Sequence, residues 1–216
     1  PSVPIDQLSD LRAGDQSDEI LNQENIRMNP FRIGYYFLPF LGIQSSGELE
    51  WSPTVPSVSG TVQFNVPIKQ KIGIASGWRM GKQWNYFLID GEFTYFRNDF
   101  ADSMNVMGAS LPIEGDTEGY SVFVNAGLRF NILAKVDWLF GAGTGYLSQE
   151  FEFTSSGLTE ESESSFWTYQ IFSGLNFYAS EHLLFGVRYR LVGIKEMNDF
   201  SSQDLHHAEL SMGYVF

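Results

Sequence analysis

Arginines and carboxylates recur in this chain at positions that an alternating strand would turn to one side. Arg79, Asp90, Glu92, Arg129, Arg188, Arg190 and Glu209 each lie in a run where the flanking residues are apolar or glycine, and Asp137 stands at the start of another such run. Such charges have two outlets. On a solvated face they are ordinary surface groups of small energetic weight. In a confined space they must pair with one another, because an unpaired buried charge is strongly destabilising.

A second set could do nucleophilic chemistry. His207, Glu209 and Ser211 share a parity and would share one strand face. Four residues of strand separate His207 from Ser211, a rise of roughly 13 Å. That exceeds hydrogen-bond reach for a base acting on a nucleophile. His182 falls in a tight turn, and His206 and His207 read as interfacial histidines at the outer end of the last strand. No zinc spacing, phosphate-cradling loop or nucleophile elbow is present. The chain has no cysteine, which excludes a disulfide framework and thiolate-held metal. No metal and no cofactor are expected, and the chain is not expected to be an enzyme.

The elements that position these residues follow a period of two. Eight strands are predicted, over Arg32–Gln44, Lys71–Gly81, Trp84–Arg97, Tyr120–Ile132, Val136–Gln149, Ser165–Ala179, Leu183–Glu196 and Leu205–Phe216. In the fourth, Tyr120, Val122, Val124, Ala126, Leu128 and Phe130 alternate with Ser121, Phe123, Asn125, Gly127 and Arg129. The sixth and seventh repeat this alternation; the first does not, since Tyr35, Phe37 and Leu41 interleave with Tyr36, Leu38 and Phe40. Lys82-Gln83, Leu133–Lys135 and Ser180–His182 read as tight turns. Ser45–Gln70, Asn98–Gly119, Glu150–Ser164 and Met197–Asp204 read as longer polar loops, with Ser59–Val66 a candidate extension of the second strand. Residues 1–30 are polar and acidic and form a separate tail, expected on the periplasmic side, in which Ser17–Met28 could start a short helix. Residues 31–216 form the barrel domain.

No stretch approaches the roughly 20 apolar residues of a membrane helix. A membrane strand needs only about 9 to 11 residues and alternates, so a window average passes over it. Two features favour placing the apolar face outward. Trp78, Tyr120, Trp138, Tyr146 and Trp167 sit on it near strand ends, where amphipathic rings suit a membrane interface. The opposite face is rich in Gly, Ser and Asn with mixed charges and little Lys, which suits a narrow paired lumen. Arg79, Asp90, Glu92, Arg129, Arg188, Arg190 and Glu209 would then form an ion-pair network inside a barrel too narrow for anything but side chains. The net charge of −13 excludes nucleic acid as a partner. Most remaining carboxylates, among them Asp99, Asp116, Glu118, Glu150, Glu152, Glu161 and Glu163, fall in the long loops and adjoining strand ends.

The last strand is the most specific feature. Ala208, Leu210, Met212, Tyr214 and Phe216 are apolar at every second position and end on an aromatic residue. This resembles the C-terminal signal of bacterial outer-membrane proteins, which the barrel-assembly machinery reads. Residues 32–216 resemble the small eight-stranded barrels of the OmpA membrane domain, OmpX and Opa type. The resemblance implies an all-β, antiparallel transmembrane barrel with short periplasmic turns and long extracellular loops. It implies a Gram-negative outer membrane, contact with lipid and lipopolysaccharide, and a signal peptide already removed. The expected role is structural or adhesive, with an extracellular ligand met through the acidic loops. Two alternatives stay open: a small-solute or hydrophobic-molecule channel of OmpW type, and a lipid A-modifying barrel enzyme. Barrel lipid A deacylases carry His-x-Ser, whereas His207 here is followed by Ala208 and Glu209.

Overall fold

The computed structural model describes residues 33–46, 49–51, 54–57, 60–63, 66–68, 71–99, 103–106, 109–112, 114–155, 158–194 and 203–216. The tail of residues 1–30, with its candidate helix, lies outside the described residues.

Eight strands close into one antiparallel barrel: β1 (Gly34–Ser46), β2 (Gly73–Gln83), β3 (Phe87–Asp99), β4 (Glu114–Leu133), β5 (Val136–Ser155), β6 (Leu158–Tyr178), β7 (Leu183–Ile194) and β8 (Gln203–Val215). Each pairs with its sequence neighbour, and β1 meets β8 to close the ring. Closure pairs backbone groups that a bilayer could not solvate. The tight turns lie at one end, which is the periplasmic end in a transmembrane barrel.

Several boundaries differ from the expected ones. The first turn is Trp84–Tyr86 rather than Lys82-Gln83, with the Trp84 N–H donating to the Phe87 carbonyl at 2.8 Å. The expected loop Glu150–Ser164 is mostly strand: β5 and β6 stay in register from Val136↔Phe177 to Ser155↔Leu158. Ser59–Val66 does not extend the second strand. The segment after β1 instead pairs with itself, Leu49–Trp51 with Val66–Ile68 and Thr54–Ser57 with Gly60–Gln63. A further hairpin pairs Ser103–Val106 with Ala109–Pro112.

The faces are inverted relative to a soluble barrel. Leu210 is 67% exposed and Phe216 72%, whereas Glu209, next to Leu210, is 2% exposed. The lumen is layered. Tyr36, Leu38, Tyr178, Leu184 and Val215 form an apolar cluster at the periplasmic end. Leu88, Leu139 and Phe172 form a second cluster, and Phe172 lies over Gly127 and Gly141, where an added Cβ would meet its ring. Towards the outside, Ala75, Phe96, Phe123, Leu147, Val192, Ile194 and Leu205 make a third, larger one. The charged layer lies between these clusters.

Candidate functional site

The charges of the layer come from four strands, β2, β3, β7 and β8. Arg79 on β2 faces Glu92 on β3 in register, and Arg188 on β7 faces Glu209 on β8. Glu92 is the hub. It pairs with Arg190 Nη1, and its Oε2 lies 3.6 Å from Arg79 Nη1 and 3.8 Å from Arg188 Nη1. Glu209 pairs with Arg79, and its Oε2 is 3.1 Å from Arg190 Nη2. Asp90 accepts from Tyr36 Oη at 2.6 Å and Asn125 Nδ2 at 2.7 Å, with Arg188 Nη2 at 3.8 Å. Three guanidinium groups therefore face three carboxylates, all buried, and the layer is charge-balanced. Aromatic faces complete the cation contacts: Arg79 and Arg190 lie 4.9 and 5.2 Å from the Phe40 ring, and Arg188 lies 4.3 Å from Phe172. Cations over ring faces gain electrostatically.

Arg129 is not in this cluster. Its Nε pairs with Asp137 Oδ2 at 3.1 Å on the neighbouring strand, and Asn131 Nδ2 donates to Asp137 Oδ1 at 3.1 Å. Tyr36, Phe40, Gln170 and His207, none of them among the charged residues expected there, complete the layer. Gln170 Nε2 donates to Asn125 Oδ1 at 2.7 Å, linking β6 to β4. Gln170 and Asn125 were legible as polar-face residues; Tyr36 and Phe40 were hidden by the missing alternation of β1.

The histidines are not a pair of interfacial residues. His206 faces outward, its Nδ1 2.5 Å from Tyr189 Oη, whereas His207 faces the lumen and is 2% exposed. His207 Nδ1 meets Arg190, Glu209 meets Arg79 and Arg190, and Ser211 Oγ lies 3.4 Å from the Gly186 carbonyl it donates to. His207, Glu209 and Ser211 are thus each engaged elsewhere rather than with one another. His182 Nδ1 lies 3.0 Å from the Val215 carbonyl.

Trp78, Tyr120, Trp138, Tyr146 and Trp167 are all exposed on the outer wall, as are Ala208, Leu210, Met212, Tyr214 and Phe216. Ser173, which interrupts the apolar face of β6, accepts a hydrogen bond from Trp138 Nε1 at 2.9 Å.

Beyond Tyr120, Tyr146 and Trp167, away from the tight turns, the outer wall changes character. Glu118, Glu150 and Glu163 lie side by side across β4, β5 and β6, and Asp116, Glu152 and Glu161 form the next row. Directly opposed residues share a face, and it points away from the lumen, since the intervening Thr117 and Phe151 are buried. At the β3 end the first row meets Arg97 and the second meets Asp99, with Arg97 Nη2 2.6 Å from Asp116 Oδ2. Tyr95 Oη donates to Glu118 Oε2 at 2.8 Å. Among the described residues no group of three or more His, Cys, Asp or Glu is arranged to hold a metal ion.

Apolar residues outside, paired charges inside and a closed antiparallel ring meet the demands of a bilayer. A family model described as outer membrane protein beta-barrel domain matches residues 50–216. The chain belongs to this family. The outer-membrane barrel shares its fold with Neisserial surface protein A at 12% identity, covering 85% of this chain and 97% of that one with a TM-score of 0.54. OprG from Pseudomonas aeruginosa is similar at 11% identity, 86% and 97% coverage and a TM-score of 0.55. The outer membrane protein AlkL, solved in lipid bilayers, is similar at 13% identity, 87% and 92% coverage and a TM-score of 0.52. No curated protein sequence matches the chain. The protein is an integral barrel of the Gram-negative outer membrane.

Proposed function

We propose that this outer-membrane barrel is a closed, non-enzymatic scaffold that presents its extracellular strands for surface contact. The observation that carries the reading is the balanced ionic layer of Arg79, Arg188 and Arg190 with Asp90, Glu92 and Glu209, held between apolar clusters. An ion crossing it would have to break buried pairs and shed water beside Phe96, Leu147 and Leu205 on one side and Leu38 and Leu184 on the other. The carboxylate rows lie next to Tyr120, Tyr146 and Trp167, rings of the kind that settle at headgroup depth. Contact with lipopolysaccharide phosphates there would run through cations shared between the two anionic surfaces. Planar-bilayer recording tests the closure: the purified barrel is expected to give no stable conductance, and sustained, solute-permeable openings would overturn it.

One feature favours a second reading, passage of a small apolar molecule through the wall. The β1–β8 ladder skips Leu38 and Pro39. An apolar hollow of about 520 Å³ lies there on the outer wall, lined by Pro39, Phe40, Leu41, Leu210, Ser211 and Met212. Under this reading Pro39→Val, which restores the missing donor, would slow uptake of an apolar dye into vesicles. Equal uptake by both proteins removes it.

A further inference from the structure

Lys82 stands on the outer wall beside the first tight turn, at the periplasmic end, and no carboxylate among the described residues pairs with it. Its ammonium group lies 5.0 Å from the ring of Tyr35 and 5.3 Å from that of Trp84. Tyr35 is its directly opposed neighbour on β1, and Trp84 begins the turn. A lysine on a lipid-facing wall is costly at mid-depth and tolerated near the interface, where its stem covers apolar surface and its head reaches the polar region. The two ring faces attract the head but carry no counter-charge. The carboxylates of the outer wall, from Asp99 to Glu163 on β3 to β6 and Asp204 on β8, stand at the opposite end. Among the described residues the tight turns add Glu181, between β6 and β7 and so across the ring from β2.

An apolar feature begins at the residue opposite Lys82. Lys82, Ile89, Ala126, Ala142 and Ile171 form a row of direct pairs across β2 to β6. Strands of a closed barrel tilt, so the row climbs from the periplasmic end into the wall. Lys82 lies next to its own turn, whereas Ala126 and Ala142 lie well along β4 and β5 from the Leu133–Val136 turn. A hollow of about 460 Å³ follows this row, with the small Ala126 and Ala142 set between Ile89 and Ile171, and Leu128 and Phe140 beside them. Behind it the Phe172 ring lies where Cβ atoms on Gly127 and Gly141 would stand, so the hollow is a depression and not a passage. Lys82 and Ala126 are two strand spacings apart, about 10 Å, less than the roughly 15 Å depth of one leaflet of the hydrocarbon core.

We propose that this wall holds one anionic phospholipid of the periplasmic leaflet, its phosphate on Lys82 between Tyr35 and Trp84 and one acyl chain in the hollow over Ala126 and Ala142. The unpaired ammonium group supplies the charge that a phosphate complements, at the depth where phosphates lie. The depression lets an acyl chain meet side chains on both flanks instead of lying on a flat wall. Headgroup charge selects the lipid, because Lys82 has no carboxylate beside it to match the ammonium of a zwitterionic head.

The test uses the full chain in detergent micelles carrying phosphatidylglycerol or phosphatidylcholine with the same acyl chains, and native mass spectrometry to count the lipid retained. Wild-type protein is expected to retain phosphatidylglycerol in preference to phosphatidylcholine. Lys82→Gln is expected to lower that retention by about fivefold, the effect of one surface lysine on an anionic lipid, and Lys82→Arg to keep it. Ala142→Leu fills the hollow and leaves every charge in place, and it is expected to lower retention as well. Lys135→Gln, which removes a charge from another tight turn, is expected to match wild type. Heat-dependent gel mobility reports whether each variant keeps its barrel. Equal retention of the two lipids, unchanged retention in Lys82→Gln or Ala142→Leu, or an equal loss in Lys135→Gln would overturn the proposal. Each of these results leaves the conductance test, and with it the closed scaffold, untouched.

Discussion

Replacing Glu92 with Gln tests the ionic layer at its hub. The substitution keeps shape and removes one charge, leaving Arg79, Arg188 and Arg190 against Asp90 and Glu209 alone. At an effective dielectric of about 20, a unit pair separated by 3.6 to 3.8 Å, as Glu92 is from Arg79 and Arg188, interacts by about 4 to 5 kcal/mol. Much of that gross attraction is offset by the desolvation of both partners, so the intact pair is worth far less than the sum. Removing one partner is different, since the desolvated guanidinium groups remain, and breaking a buried pair typically costs about 3 to 5 kcal/mol. Glu92→Gln is therefore expected to lower unfolding stability in lipid vesicles by about 3 kcal/mol or more, read from urea titration by tryptophan fluorescence. Adding Arg190→Gln restores the balance, and coupling within a contacting network of about 0.5 to 3 kcal/mol is expected to reappear as recovered stability. A loss under about 1 kcal/mol for Glu92→Gln, or a double variant that loses the sum of the two singles, would mean that water screens these charges. The closed lumen would then be wrong.

Three further outcomes are expected. Pro39 cannot donate to the Met212 carbonyl opposite it, so Pro39→Val adds a ladder bond at the closing seam and is expected to raise stability by about 1 kcal/mol in the same titration. Ser173→Ala leaves the Trp138 indole N–H without its acceptor on the outer wall and is expected to cost about 1 kcal/mol, with a shift in tryptophan emission. Deleting Phe216 removes the N–H that donates to the Tyr35 carbonyl at 2.7 Å, together with the terminal ring, and is expected to reduce the assembled, heat-shifted fraction in outer-membrane preparations.

Much of the barrel was legible because a membrane strand must alternate. The faces of Tyr120–Ile132 and Leu205–Phe216 could be assigned from parity, with Phe216 fixing the second. β1 resisted for a physical reason: its inward face is itself apolar. Tyr36 and Leu38 belong to the periplasmic-end cluster, and Phe40 lies against Arg79 and Arg190. The pairing pattern of the charges was also out of reach. That Arg129 joins Asp137, while Glu92 gathers three arginines, depends on strand register and on side chains meeting across the lumen. The segment Glu150–Ser164 failed in the opposite direction. Beyond the bilayer the outer face of a strand need not be apolar, so the alternation that marks a strand fades although the hydrogen-bond ladder continues.

That same change of environment explains where this molecule can meet others. Within the bilayer every strand must have two neighbours, because an unpaired backbone group there costs several kcal/mol. Above it the requirement on the outer face lapses, and the face can turn from apolar to charged while the ladder of β4, β5 and β6 runs on in register. Glu118, Glu150 and Glu163, with Asp116, Glu152 and Glu161 in the next row, stand where apolar side chains stand lower down the same strands. Contact on this part of the wall is therefore selected by charge, whereas contact lower down these strands is selected by apolarity alone.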